Sequence, residues 1–190
     1  LKRIDVNNFD RIVIVCKKSY FQYLGKLENN FPSVKFIFTQ AGKDRQSSSY
    51  NALKSIKIFN PNNVLIHDAA RPFCSNNLIM KILKNLKKNS SAIPYIVNTD
   101  KKMILKKDFS QNIKLIQTPQ GFKFKTIFEA HKKVLIKNAR DDSSLIKEKK
   151  INFVKGEKFN LKITYADDLN YFKLFLKPIY KSGIGYDIHQ

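Results

Sequence analysis

The stretch Val64-Leu65-Ile66-His67-Asp68-Ala69-Ala70-Arg71-Pro72 carries an apolar run straight into a histidine and a carboxylate, then two alanines, a fixed cation and a proline. It reads as a buried strand whose carboxyl end opens into a site, the place where open α/β sheets collect ligands. A carboxylate at that point suits a sugar hydroxyl or a metal-bound phosphate. The alanines let a ligand lie against the backbone. The plainer alternative is an aspartate capping the next helix, with the arginine paired to it.

Further groups of this kind follow in chain order. Gln40-Ala41-Gly42-Lys43-Asp44-Arg45-Gln46-Ser47-Ser48 is a glycine turn feeding a helix, which offers free N–H groups to a phosphate or a base edge, or else an ordinary cap from Ser47 or Ser48. Asn98-Thr99-Asp100-Lys101-Lys102 sets a hydroxyl beside cations just past a strand, and equally suits a polar turn. Asp141 and Asp142 are paired carboxylates at a helix start, where capping outweighs metal binding. Lys162 sits between Leu161 and Ile163, so strand alternation turns it to the opposite face, toward a ligand or toward solvent. Asp187 and His189 stand two apart near the end, a spacing that aims both at one side of a strand, as a metal site requires.

The elements that must position these residues follow from periodicity. Residues 11–16, 34–39, 64–67, 92–97, 103–105 and 151–154 read as strands, and 158–164 as another. Residues 20–29, 49–59, 76–88, 124–137 and 166–176 carry helical spacing. The opening strand–helix–strand order implies a right-handed crossover and a parallel sheet, hence an α/β domain. Pro94 marks an edge or a bulge. Around Thr118-Pro119-Gln120-Gly121, a short strand is expected to end at Gln117 and a defined loop to follow.

Length and composition narrow the class. A chain of 190 residues, 43% hydrophobic, supports one substantial core. No run approaches the roughly 18 apolar residues of a membrane span. Two cysteines, Cys16 and Cys74, give neither a disulfide framework nor a zinc pattern, so a reducing cytoplasm is the expected location. The charge of +21 comes mainly from lysines scattered through every segment. That pattern lacks the clustered arginines and aromatics of a nucleic-acid reader, and it would attract small anions. The opening residues, with no Met, read as a piece of a longer chain.

Taken in order, Ala41-Gly42…Arg45…Ser48, Ile66-His67-Asp68-Ala69-Ala70-Arg71-Pro72, Asn98-Thr99-Asp100-Lys101, Gln117-Thr118-Pro119-Gln120-Gly121-Phe122, Asp141-Asp142-Ser143-Ser144-Leu145 and Gly156…Asn160-Leu161-Lys162-Ile163-Thr164 resemble the successive motifs of the 2-C-methyl-D-erythritol 4-phosphate cytidylyltransferase family. The resemblance implies a Rossmann-like, GT-A-like nucleotidyltransferase fold of three layers with a mixed, mostly parallel sheet. It implies attack by the acceptor phosphate of methylerythritol phosphate on the α-phosphorus of CTP, with Mg²⁺ assisting. By position, Asp68, Arg71 and Lys162 would be catalytic, Lys162 steering the acceptor. The Gly42 loop, Ala41 included, would read the base with Ser48, Ala69 would pack near the nucleotide sugar, Thr99 would join Asp68 and Arg71 around the reacting phosphates, and Arg45, Ser110 and Thr118 would bind the substrates more generally. A homodimer or higher homo-oligomer is also implied, with no nucleic-acid or membrane partner.

Residues 183–189, Gly-Ile-Gly-Tyr-Asp-Ile-His, are similar to the opening strand of 2-C-methyl-D-erythritol 2,4-cyclodiphosphate synthase, in which Asp187 and His189 would bind zinc. The expected organisation is a transferase domain over residues 1–178, a linker over 179–182 and the start of a second domain over 183–190. The family's Gly-rich loop is expected to lie ahead of residue 1. Ala41 and Lys43 stand where the family usually has Gly and Asp, Ser110 falls about where it has a positioning Arg, and Arg140 replaces a usual Thr. Two readings stay open beside this one: a cytidylyltransferase for another polyol phosphate such as ribitol 5-phosphate, and a basic nucleic-acid-binding module.

Overall fold

Apolar β-branched runs pair first in the computed structural model, which describes residues 4–98, 103–104, 107–108, 113–133, 139 and 141–176. Strands β1 (Ile12–Cys16) and β2 (Phe36–Gln40) lie parallel with Ile12 opposite Phe36. The connection between them is not the single helix expected over 20–29. It is a 3₁₀ segment, Lys18–Tyr23, followed by the short α1 (Gly25–Asn30). Tyr20 and Tyr23 have ring centroids 6.3 Å apart, as the eclipsed i, i+3 positions of a 3₁₀ turn allow, and Gly25 gives little support to a longer α-helix.

Helix α2 (Arg45–Ile56) begins four residues before the expected start and leads to β3 (Asn63–Ile66), then α3 (Asn76–Leu86) and β4 (Ser91–Asn98). A two-residue hairpin, β5 (Met103–Ile104) and β6 (Lys107–Asp108), precedes β7 (Ile113–Ile116). The loop expected after Gln117 is short, because Gln120–Lys123 forms β8 despite Gly121. Helix α4 covers Phe124–Lys133 in the described residues, β9 is Phe153–Lys155, and α5 is Ala166–Leu176. Residues 158–164 form no strand, because their backbone groups go to turns and to the loop after β3.

The main sheet is mixed. Strand β8 runs antiparallel between β3 and β4, β7 is antiparallel to β4, and β9 is parallel to β4. Strands β3, β4 and β9 therefore share one direction, and their carboxyl ends lie at one edge of the sheet. Pro94 belongs to the central strand β4, at the point where its antiparallel neighbour changes from β8 to β7. Its carbonyl there accepts from the Gln117 N–H at 2.8 Å.

Alternation splits the core into two layers around the sheet. On one face, Ala92, Leu65 and Val154 meet Leu78, Ile79, Ile82 and Leu86 of α3. On the other, Ile93, Phe122, Val64 and Ile66 meet Leu53 and Ile56 of α2 and Phe124, Ile127 and Phe128 of α4. Gly121 is what lets α3 approach so closely. A β-carbon there would strike Ile82 and come within 3.0 Å of Leu86.

Candidate active site

The turn after β2 is held from within. Asp44, in extended geometry, caps α2 by accepting from the Ser47 N–H at 2.6 Å, while Ser47 Oγ accepts from the Asp44 N–H at 3.0 Å. Asp44 is therefore the cap in place of Ser47 or Ser48, and its hydrogen bonds from Ser47 hold its carboxyl below the ordinary value. Ser48 Oγ donates to the Asp44 carbonyl at 2.8 Å and accepts from the Gly42 N–H at 3.0 Å, so its hydroxyl shapes the turn. Gly42 lies so close to Ser47 that a β-carbon would collide with that side chain. The Ala41 N–H donates to the Cys16 carbonyl, which ties the turn back to β1. The result is a fixed backbone loop with Arg45 at the first position of α2.

The loop after β3 is locked to the segment between β7 and β8. His67 Nε2 is 3.1 Å from the Arg71 carbonyl, an acceptor only, so Nε2 carries the proton. Nδ1 then accepts from Thr118 Oγ1 at 3.1 Å. Burial is the main reason that the ring's pKa lies below its ordinary value, in keeping with a neutral imidazole. Thr118 Oγ1 also accepts from the Asp68 N–H at 3.0 Å. Thr118 is buried and both its hydroxyl bonds are internal, so it holds the Asp68 loop in place. Ala69 is exposed between Asp68 and Arg71, leaving the backbone approachable.

Asp68 does not cap α3. Ser75 does, accepting from the Leu78 N–H at 3.1 Å. Nor is Arg71 its ion-pair partner: Arg71 Nη1 donates to the Asn160 carbonyl at 2.7 Å. The segment after β9 is thereby drawn onto the site. Asn160 Nδ2 donates to the Thr118 carbonyl at 2.8 Å, and the Ile163 N–H donates to the Ala70 carbonyl at 2.9 Å. Between these ties Lys162 reaches inward, with Nζ 3.0 Å from Asp68 Oδ2. On its other side, Asp68 Oδ1 lies 3.9 Å from Arg45 Nε.

Arg45 also reaches a second carboxylate, donating from Nη2 to Asp142 Oδ2 at 2.7 Å. The Asp142 side chain is 0% exposed, and its Oδ1 accepts from His131 Nε2 at 2.9 Å. Burial works against the Asp142 charge. The His131 hydrogen bond and the Arg45 guanidinium outweigh it and hold the carboxyl below its ordinary value. The paired carboxylates thus divide. Asp141 makes the expected turn contacts, accepting from Ser143 Oγ and the Ser144 N–H, while Asp142 is a buried ion and not a cap.

Sequence reasoning gave no individual role to His131, Gln46, Gln117, Gln120 and Asn160, which hold this framework. One signal was available: polar residues recur at positions that periodicity marks as buried, His131 in the α4 stripe above all. Of the expected site residues, Ala41, Gly42, Arg45 and Ser48 lie on the turn after β2 and the start of α2, Asp68, Ala69 and Arg71 on the loop after β3, Thr118 between β7 and β8, and Lys162 after β9, and these four segments meet around Asp68. Thr99 and Ser110, with Arg140, and the metal pair Asp187 and His189 fall outside the described residues. Among the described residues, no three His, Cys, Asp or Glu side chains converge as a metal cage. Asp68 instead offers a single, 21% exposed carboxylate, a donor set that fits a divalent ion arriving on a phosphate.

Comparison with known proteins shows the family and the fold. The family model for 2-C-methyl-D-erythritol 4-phosphate cytidylyltransferase matches residues 3–177. The chain is 40% identical over 194 residues to the bifunctional enzyme IspD/IspF of Pelagibacter ubique, covering 97% of this chain and 49% of that one. It is 37% identical to the cytidylyltransferase of Dictyoglomus thermophilum, over 87% of this chain and 77% of that one. The solved 4-diphosphocytidyl-2C-methyl-D-erythritol synthase of Anaerococcus prevotii superposes with a TM-score of 0.80 at 28% identity, covering 90% of this chain and 81% of that one. The chain spans about half the length of the first curated relatives that it matches. With the family model covering residues 3–177, nearly the whole chain, the chain belongs to the 2-C-methyl-D-erythritol 4-phosphate cytidylyltransferase family.

Proposed function

We propose that this chain transfers a cytidylyl group from CTP to 2-C-methyl-D-erythritol 4-phosphate. The observation that carries the reading is the arrangement of three cations, Arg45, Arg71 and Lys162, on loops that close around one carboxylate, Asp68, at the strand ends. Two polyanions must be brought together for this reaction, and charge that builds on the α-phosphate must be neutralised. An oxygen of the acceptor phosphate attacks the α-phosphorus of CTP, forming the new P–O bond. The bond to the bridging oxygen breaks, and pyrophosphate leaves with the electron pair. The substrate is the nucleophile, so the protein's task is alignment.

In this reading the Ala41–Gly42 turn, held by Ser48, receives the base, and exposed Ala69 lets the sugar pack against backbone. Lys162, 46% exposed, exchanges its contact with Asp68 for the acceptor phosphate. Arg71, fixed by the Asn160 carbonyl, and Arg45 face the phosphates. Asp68 would hold Mg²⁺ carried on the triphosphate, which supplies charge neutralisation at the phosphates. Thr99 and Ser110 complete the substrate contacts. The two unbridged cysteines support a cytoplasmic setting. We further propose that residues 1–178 form the transferase part and 179–182 a linker, with 183–190 opening a cyclodiphosphate synthase domain. Asp187 and His189 would there ligate zinc, and the whole would act as a homo-oligomer.

The test is pyrophosphate release from CTP by the full-length protein with methylerythritol phosphate as acceptor, run beside ribitol 5-phosphate. Turnover at least tenfold faster with methylerythritol phosphate is expected. Preference for ribitol 5-phosphate would move the reading to the other polyol acceptor, and turnover with neither would overturn it.

A further inference from the structure

We propose that His131 is a positioning residue that acts through Asp142 on Arg45 and so sets the guanidinium that faces Asp68. The inference rests on the transferase reading above and extends it to a side chain that lies behind the site.

The buried face of α4 runs Phe124, Ile127, Phe128 and His131, the i, i+3, i+4, i+7 stripe of an amphipathic helix. An apolar side chain at the last position would continue the stripe. A histidine stands there instead, 1% exposed, its ring stacked on Tyr50 of α2 at a centroid distance of 5.8 Å and an interplanar angle of 1°. Its Nδ1 is buried with no hydrogen-bond partner among the described residues, a cost that packing alone gives no reason to accept. The compensating feature is Nε2–H, which donates to Asp142 Oδ1 at 2.9 Å.

That bond determines how Asp142 is shared. With Oδ1 turned to His131, Oδ2 meets Arg45 Nη2, and Arg45 Nε remains turned toward Asp68. The backbone carrying Asp142 does not depend on His131 for its path. The Ala139 N–H donates to Gln46 Oε1 and the Ser143 N–H to Gln120 Oε1, tying the strap to α2 and β8. Loss of the Nε2 donor therefore leaves the strap in place but frees the carboxylate. A freed carboxylate can accept from both Nε and Nη2 on one edge of the guanidinium, a forked pair of the preferred Arg geometry, and so draw Nε from Asp68.

Two substitutions separate donor from packing. His131→Phe keeps the ring stack and removes the N–H; His131→Gln loses the ring and keeps an N–H at about the same reach. The primary readout, independent of turnover, is the side-chain ¹⁵N–¹H spectrum of Arg45 in the full-length protein, its signal identified as the one lost in Arg45→Lys. The Arg45 signal is expected to shift or broaden in His131→Phe and to stay as in the wild type in His131→Gln. With CTP, His131→Phe is expected to raise KM about tenfold with kcat within twofold, and His131→Gln to restore KM within threefold. An unchanged Arg45 signal in His131→Phe, or a signal in His131→Gln as disturbed as in His131→Phe, would overturn the proposal. Should His131→Phe not fold, His131→Gln decides alone, since a packing role requires it to disturb Arg45 and the positioning role requires that it does not. If the wild type transfers no cytidylyl group, the proposed function fails while the spectrum still decides the role of His131.

Discussion

At the scale of residues, the two carboxylates of the site have opposite duties, and substitutions separate them. Lys162 and Asp68 form a pair open to water, and such pairs contribute about 0–1 kcal/mol to stability. Lys162→Met is expected to leave the melting temperature nearly unchanged while lowering kcat/KM roughly 100-fold or more, the usual loss when one charge contact to a reacting group is removed. Asp142→Asn should reverse the balance. It breaks a buried ion pair between Arg45 and a side chain with no exposure, a loss of about 3 kcal/mol that calorimetry would detect. A Lys162→Met protein that melts as early as Asp142→Asn would contradict this division. The exposed half of the site was legible in the sequence because Asp68, Arg71 and Lys162 stand at strand ends or at alternating positions. Asp142 was not, because an aspartate before Ser-Ser-Leu has the local pattern of a cap, and its true partners, Arg45 and His131, are 97 and 11 residues away.

At the scale of elements, position was easier to read than connection. The stripe Leu78, Ile79, Ile82 and Leu86 fixed α3, and the run from Val64 fixed β3, because each needs only one period and one buried face. Strand β8 was missed because Pro119 and Gly121 locally favour a turn, whereas the tertiary environment gives Gly121 a packing role that short-range propensity does not contain. That role is testable. Gly121→Ala puts a methyl group against Ile82 and Leu86, where α3 rests on the sheet, and overpacking of this kind costs about 1–3 kcal/mol. We expect a lower denaturant midpoint that Ile82→Val substantially restores in the double variant, since the smaller side chain reopens the contact. Additive losses in the double variant would mean that the glycine is needed for backbone freedom and not for space. Strand 158–164 failed as an expectation for the converse reason: its alternation is genuine, but its N–H and C=O groups are taken by Ala70, Arg71 and Gln117, so Lys162 is delivered by a loop.

At the scale of the whole molecule, two shielded titratable groups, His67 and Cys74, limit the pH range of the fold. His67 has a folded pKa below its ordinary 6.5, chiefly through burial. As pH falls below about 6.5 the unfolded chain takes that proton first, so stability declines on the acid side. Cys74 behaves in the opposite sense. Burial, with Glu157 nearby, pushes its thiol from 9.0 up to about 11. Between those values the unfolded chain has lost a proton that the folded chain keeps, and stability falls as pH rises. The melting temperature should therefore be highest between about pH 6.5 and 9. Lysine deprotonation at still higher pH relieves the repulsion of a chain carrying +21 and works against the alkaline decline, so the total curve is an incomplete test. Comparison with Cys74→Ala cancels the lysine effect, because both proteins carry the same lysines. The variant loses a small buried side chain and should melt below the wild type at pH 7. The gap between the two is expected to narrow steadily from pH 9 to 11 as only the wild type loses the thiol's contribution. A gap that stays constant over that range would mean that the Cys74 thiol ionises as readily in the folded protein as in the unfolded chain, and that the packing around Cys74 admits water.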